Sequence, residues 1–504
     1  MLLATLYFTS LIHWSQPQAK PKVDTFPNRP PNIVFIMSDQ HSYDMVGWHE
    51  GSQAHTPILT SLAQEGIVFK HAVSTSPQCT PFRSMLMSGM HAIRNGAINN
   101  DIRMLSSEQI GLPGAYFAEQ LEKNNYRTGY IGKWHLYGGD RARPIPAGPF
   151  RYGFNGTFLS NNCTLNFDAG KAYWWDSSGT RQYQDKWEPF GQSMQAQAFI
   201  STTDDRPFAL FIAFHPPHDI GGNNYKAPDE LMNNYKNSSI KIRPNGQDNF
   251  ENRKRYHGHL AMISGIDKAI GMVVATLKDK NLLENTIIVF TSDHGDMLFS
   301  HKWPNNKGRP EQESIRVPLI ISWPGKLDAG IQETPIGTPD LMPTILGLIG
   351  IKPPNSCQGT DLSRVITLSR QIRNRKIPIY NHQHNWRGIY TRRFTYAFST
   401  DPNADSEKLP NTDTTHSRFV LYDRKKDRWE MSNMYNHPSY SRYRNRLANA
   451  TYKWMKKTGD PNMPYQKIIE IIRKLSTNPT QGWPAAEGEV KGVPFKLIAA
   501  STNN

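Results

Sequence analysis

Cysteine is scarce in this chain: three residues among 504, at positions 79, 163 and 357. At most one bridge can form, so a disulfide-stapled scaffold is excluded. Beyond the N-terminus no stretch approaches the ~20 consecutive apolar residues that a membrane-spanning helix needs, so no membrane span is expected. No internal repeat and no low-complexity tract is present, which excludes repeat-built architectures. Acidic residues are also short, with 43 Asp+Glu against 58 Lys+Arg, a formal charge of +15. Hydrophobic residues at 38% and aromatics at 11%, spread along the chain, make it a packed globular protein and not a disordered polycation. Of the excess charge, +12 falls beyond residue 370 and +3 before it. Such an excess permits a nucleic acid, a membrane surface or an acidic substrate as partner. No nucleic-acid-binding motif accompanies it, so a nucleic acid is not expected.

Residues 1–19 (MLLATLYFTSLIHWSQPQA) carry no charged side chain and begin with a short apolar run. They read as an export signal, and residues 20–30, rich in Lys and Pro, as a linker. From 31 to about 350 strand and helix patterns alternate. Ile33 to Met37 is a continuous apolar run suited to a strand buried on both faces. Thr56 and Pro57 open a helix that Gly66 closes. A helix is expected near Ala115–Asn124, and strands at Arg127–Ile131, Pro207–Phe214 and Thr286–Thr291. Between the last two, Leu260, Ile263, Ile266, Ile270, Val274 and Leu277 share one face of a long helix. This order predicts an α/β fold with a large, mostly parallel sheet flanked by helices over a main domain at 31–370. The basic remainder, 371–504, reads as a smaller α+β subdomain with a short antiparallel sheet. Strand-like stretches lie at 388–398 and 418–423, and a helix near Tyr465–Leu475.

In parallel sheets functional groups collect beyond the carboxyl ends of the strands. Asp39, His215 with His218, and Asp293 with His294 each follow an expected strand, so three distant segments are expected to converge on one cleft. Cys79 stands in Cys79-Thr80-Pro81-Phe82-Arg83 before a helix, and a cation such as Arg83 near a helix start favours a reactive cysteine.

These segments resemble the formylglycine-dependent (type I) sulfatases of the alkaline-phosphatase superfamily, in order along nearly the whole chain. Cys79 to Arg83 matches the C-x-P-x-R motif whose Cys is converted to formylglycine. Phe82 stands where Ser or Ala is common, and Met90 where an Arg often follows. Asn32–Gln40 (NIVFIMSDQ) is similar to the family's first strand and metal segment, Gly132–His135 to its G-K-W-H turn, and Phe214–His218 to its P-H segment. Thr291–Gly295 (TSDHG) matches the second metal segment and Lys307–Pro318 (KGRPEQESIRVP) the K-G-x-x-Y-E-E-S-I-R-V-P stretch. Leu421-Tyr422-Asp423, with Asp427, Glu430 and Asn433, matches the C-terminal signature.

The resemblance implies an alkaline-phosphatase-like fold and hydrolysis of sulfate monoesters, most plausibly on a sulfated polysaccharide or oligosaccharide. It implies a divalent cation, Ca²⁺ by family with Mg²⁺ or Mn²⁺ as alternatives, on Asp39, Gln40, Asp293, His294 and the modified Cys79. Two carboxylates and an imidazole suit such an ion. The remaining roles follow from the same resemblance. One hydroxyl of the hydrated aldehyde at 79 attacks sulfur, and the second expels sulfate from the resulting hemiacetal. His135 takes the proton, Lys133 and Arg83 stabilise the hydrate, and His218 and Lys307 contact sulfate and the leaving oxygen. Implied partners are a sulfated carbohydrate and a formylglycine-generating maturation enzyme, in an exported location. The alternative is a phosphodiester or phosphonate monoester hydrolase of the same superfamily. Arg387 is a candidate sugar or sulfate contact, and Trp174, Trp175 and Trp187 either stack on sugar rings or pack their own loop.

Overall fold

Asn32–Ser38 has hardly a polar side chain to offer water. In the computed structural model every residue of it is buried, between the parallel strands Phe208–Ala213 and Thr286–Ser292. That is the environment a continuous apolar run demands. The structure describes residues 29–475 apart from 140, 177, 203 and 402–418. The expected export signal at 1–19, and all of the linker except its last two residues, lie outside the described residues.

Ten strands form the main sheet in the order Gly330–Gln332, Ile67–Phe69, Leu319–Ser322, Thr286–Ser292, Asn32–Ser38, Phe208–Ala213, Arg127–Lys133, Thr157–Asn161, Tyr173–Trp175, Arg181–Tyr183. The five from Thr286–Ser292 to Thr157–Asn161 are parallel. Leu319–Ser322 joins one side of them antiparallel, and Tyr173–Trp175 the other. The expected α/β sheet is therefore a mixed one with a parallel centre. Its last two edge strands are three residues each, too short for an alternating pattern to be legible in the sequence.

Alternate side chains of the central strand face different layers. Ile33, Phe35 and Met37 pack toward the helices Cys79–Ser88 and Thr338–Leu348. Val34 and Ile36 pack toward Pro57–Glu65, Glu188–Ser201 and Phe250–Asp279. The last helix has 30 residues and a stretch long and apolar enough by composition to cross a membrane, though Asp267 and Lys268 interrupt it. Of that stretch 78% is buried inside the protein, with Ile266, Ile270 and Val273 in the core. Helix Pro57–Glu65 starts where expected, but the Thr56 hydroxyl accepts from the Gly47 amide and leaves the helix end uncapped. Asp267 of the long helix caps it instead, accepting from Ile58 N at 3.1 Å and Leu59 N at 2.7 Å.

The four strands Ile377–Asn381, Trp386–Tyr390, Phe394–Ser399 and Phe419–Asp423 make the expected small antiparallel sheet. The stretch 388–398 is a hairpin, not one strand. Helix Ser441–Thr458 covers this sheet through Leu447, Trp454 and Met455. The sequence hid it because Arg, Lys, Asn and Tyr fill the rest of its surface. Trp386 Nε1 donates to Gly308 O at 2.6 Å, tying the small sheet to the loop that carries Lys307.

Candidate active site

Register decides where the chemistry gathers. Ser38 pairs with Ser292, Met37 with Ala213, and Gly132 with Ala213, so four adjacent parallel strands end at the same level. Asp39, Asp293, the 215–218 turn and Lys133 with His135 thus emerge on one edge. Helix Cys79–Ser88 opens on Cys79 and brings it, fully buried, to the same place.

The Cys79 sulfur lies 3.3 Å from Lys307 Nζ, 3.4 Å from His294 Nε2, 3.6 Å from Lys133 Nζ and 3.9 Å from both Asp39 carboxylate oxygens. Burial and Asp39 push the thiol up, but Lys133 and Lys307 outweigh them and hold it well below the ordinary cysteine range. In a matured protein, the oxygens of a hydrated aldehyde would stand where this sulfur stands.

One ligand atom from each of Asp39, Cys79, Asp293 and His294 lies within 4.8 Å of all the others. His294 Nδ1 is 2.9 Å from the Gly295 carbonyl. Since a carbonyl only accepts, Nδ1 carries the proton and the Nε2 lone pair faces the cluster. That nitrogen is 3.4 Å from Asp39 Oδ1 and 3.5 Å from Asp293 Oδ1. Burial pushes Asp39 up, yet Lys133, His218, Lys307 and His294 together hold it well below the usual carboxylate range. Asp293 is raised, by burial and by the charge of Asp39. Two carboxylates and an imidazole lone pair converging on one point fit a hard divalent cation.

Gln40 has a left-handed backbone, φ 68°, which a non-glycine residue adopts only when its surroundings enforce it. Its amide nitrogen donates to Asp296 Oδ2 at 2.8 Å, so Oε1 is turned inward, 3.2 Å from Lys307 Nζ. Lys133 Nζ makes an ion pair with Asp39. Arg83 reaches past Cys79: it donates to Asp293 and, at 2.8 Å, to the Lys133 carbonyl. His218 Nδ1 donates to Asp219 O at 2.7 Å, which leaves Nε2 to accept from Lys307 Nζ at 3.0 Å. His135 is also left-handed, φ 53°, and buried, with its ring acting on the thiols of both Cys79 and Cys163. All ten residues that the resemblance assigned to the nucleophile, the cation or the sulfate stand on this edge of the sheet.

Three supports were not anticipated. Asp296 fixes the Gln40 amide; its place three residues after Asp293 in SDHGD was the available signal. Glu188 Oε1 accepts from His215 Nδ1 at 2.7 Å, and both are fully buried, so Glu188 fixes the His215 ring. Cys163 follows strand Thr157–Asn161. Burial raises its thiol, but His135 and Lys133 bring it well below the ordinary range. All three cysteines are free thiols. For the other candidates the structure takes the packing alternative or leaves them away from Cys79. Arg387 is buried and pairs with Asp460 at 2.6 Å, and Trp187 sits in the core beside Leu231. Trp174 and Trp175 lie toward the sheet edge, where Arg181 covers the Trp175 ring at 4.8 Å.

Comparison with known proteins places this geometry. The sulfatase family model matches residues 31–351, and the model for the C-terminal part of N-sulphoglucosamine sulphohydrolase matches residues 301–457. The chain is 31% identical over 446 residues to the ulvan-active sulfatase of Formosa agariphila, covering 85% of this chain and 82% of that protein. It is 27% identical over 373 residues to the endo-4-O-sulfatase of Bacteroides thetaiotaomicron, covering 66% and 72%. A crystal structure of a putative sulfatase, yidJ, from Bacteroides fragilis is 28% identical with a TM-score of 0.74, covering 89% of this chain and 99% of that one.

Proposed function

The chain belongs to the sulfatase family and is a sulfuric ester hydrolase; from that premise we propose that it removes sulfate from a sulfated polysaccharide or its oligosaccharides. Residue 79, converted to formylglycine by a maturation enzyme, is the nucleophile. A divalent cation, calcium by family, would be held by Asp39, Asp293, His294, residue 79 and the Gln40 carbonyl. The observation that carries this reading is the ring of Lys133, Lys307, His294 and Asp39 within 3.9 Å of the Cys79 sulfur. The polymer is suggested by the ulvan-active relative and by the net +12 beyond residue 370. We take residues 31–370 as the catalytic unit, residues 371–504 as its basic subdomain, and export as directed by residues 1–19.

Bound there, the cation would supply Lewis acidity to a sulfate oxygen, and the hydrated aldehyde the attacking hydroxyl. The chain's own groups do the rest. Lys133 and Lys307 face the equatorial sulfate oxygens as charge builds on them. Lys133 also holds Asp39, and Arg83 holds Asp293, so both carboxylates keep their place. The bond broken is that between sulfur and the sugar oxygen; this oxygen takes its proton from the His218–Lys307 pair, which recovers it from the attacking hydroxyl through Lys307. His135, whose ring acts on residue 79, accepts the proton released when the second hydroxyl expels sulfate.

The test is turnover by metal-loaded, matured protein on a panel of defined sulfated oligosaccharides, with Cys79→Ala as control. Release of sulfate that the control lacks is expected. A rate on an aryl phosphodiester far above that on an aryl sulfate would refute the proposal.

A further inference from the structure

A groove of about 1080 Å³ lies between one side of the main sheet and the small C-terminal sheet. Eleven of its lining side chains are Lys or Arg and two are Glu. None of the residues around Cys79 lines it. The Trp386 end of the C-terminal hairpin is fastened at Gly308, beside Lys307, whereas Thr391 and Arg393 at its turn line the groove. A strand of five residues separates those ends by about 15 Å.

Part of this charge is matched. Arg393 pairs with Asp423 and Arg375 with Asp340, and Lys70 and Arg392 meet at Glu333. Arg373, Lys376, Lys425 and Arg446 are exposed and have no carboxylate within ion-pair distance among the described residues. The Arg428 guanidinium reaches the His49 ring, at 3.3 Å, and no carboxylate. Like charges gathered on one concave surface repel each other unless a polyvalent anion joins them. A flat bilayer does not enter such a groove, whereas a single polymer chain does. Half-buried Trp48 and the 37% exposed Tyr443 add ring faces against which a sugar can pack.

We propose that this groove is a second binding site, for a linear sulfated polysaccharide, that holds the polymer on the enzyme at a distance from residue 79. The proposal rests on the reading that the substrate is polymeric. The groove draws its cations from five separated segments, around residues 70, 316, 373–376, 392–393 and 424–446, so it exists only in the folded chain.

Affinity is measured on the Cys79→Ala protein, which binds without turnover, using ulvan, chondroitin sulfate, desulfated chondroitin and duplex DNA as probes. Replacing Arg373, Lys376, Lys425 and Arg446 by Ser is expected to weaken binding of the better sulfated polymer about tenfold or more. It should also make the salt dependence shallower by about three in log–log slope. The same four substitutions in the matured enzyme leave aryl sulfate turnover unchanged. The smaller Lys425→Ser, Arg446→Ser variant gives an intermediate loss and guards against misfolding. Unchanged polymer affinity in the fourfold variant overturns the site, and so does tighter binding of DNA than of either sulfated polymer. If the groove binds polymer but the matured enzyme releases no sulfate from any glycan, the substrate reading falls and the groove stands.

Discussion

Arg83 is committed to Asp293: its Nε and one terminal nitrogen both donate to the same carboxylate oxygen, at 3.2 and 3.0 Å. On the proposed function, the arginine of the Cys-x-Pro-x-Arg segment would therefore act on residue 79 through Asp293, a proposed metal ligand, and through the Lys133 carbonyl. Burial lowers the guanidinium's proton affinity, but Asp293 and its neighbours more than reverse this, so it stays charged.

Arg83→Lys keeps the charge and loses the planar fork. Calcium affinity should fall about 10- to 100-fold, the range for groups that orient metal ligands. Titration of the metal-free protein measures it, and saturating metal should restore much of the turnover. Unchanged metal affinity with collapsed turnover would show that Arg83 acts on residue 79 directly.

The proposed function makes His135 the proton acceptor, with its buried ring beside residue 79. His135→Ala should lower kcat about 10²- to 10⁴-fold while KM for an aryl sulfate changes little. Steady-state kinetics at saturating metal decide it. A rise in KM with kcat preserved would make His135 a binding group.

Asp267 caps a helix to which it does not belong. Asp267→Ala should cost about 1–2 kcal/mol of stability, as loss of a helix cap does, and Asp267→Asn less, since its amide oxygen still accepts. Urea unfolding monitored by circular dichroism gives both values. Equal stability of all three proteins would remove the capping role.

Glu430 is buried. Burial and Glu313 push it up against Arg424, leaving it at about 7 instead of its ordinary 4.5. A folded-state value above the unfolded one means that the folded protein holds the proton more tightly. The stabilisation is full below pH 4.5 and is lost as pH rises through about 7. Across that window wild type should lose roughly 3 kcal/mol relative to Glu430→Gln. Paired thermal melts between pH 4.5 and 8 check this, and parallel pH profiles for the two proteins would contradict it.

Much of the site was legible in one dimension because strands buried on both faces are unbroken apolar runs, and the polar residue after such a run must lie at the sheet's edge. Asp39 after NIVFIMS and Asp293 after TIIVFTS are of this kind. Arg387 misled because it sits in an aromatic-rich stretch, and nothing local shows that Asp460, 73 residues on, waits for it in the core. Helix Ser441–Thr458 escaped notice because one narrow stripe of it is apolar.

By itself, then, the sequence determined which residues are candidates for the chemistry and that Asp39, Asp293 and His294 follow buried strands, since apolar periodicity is a local property of the chain. Only the tertiary structure decided that Ser38 lies level with Ser292, that Arg83 reaches Asp293, and that unmatched cations from distant segments share one groove. Pairing register and long-range charge balance depend on residues tens to hundreds of positions apart, and no local pattern encodes them.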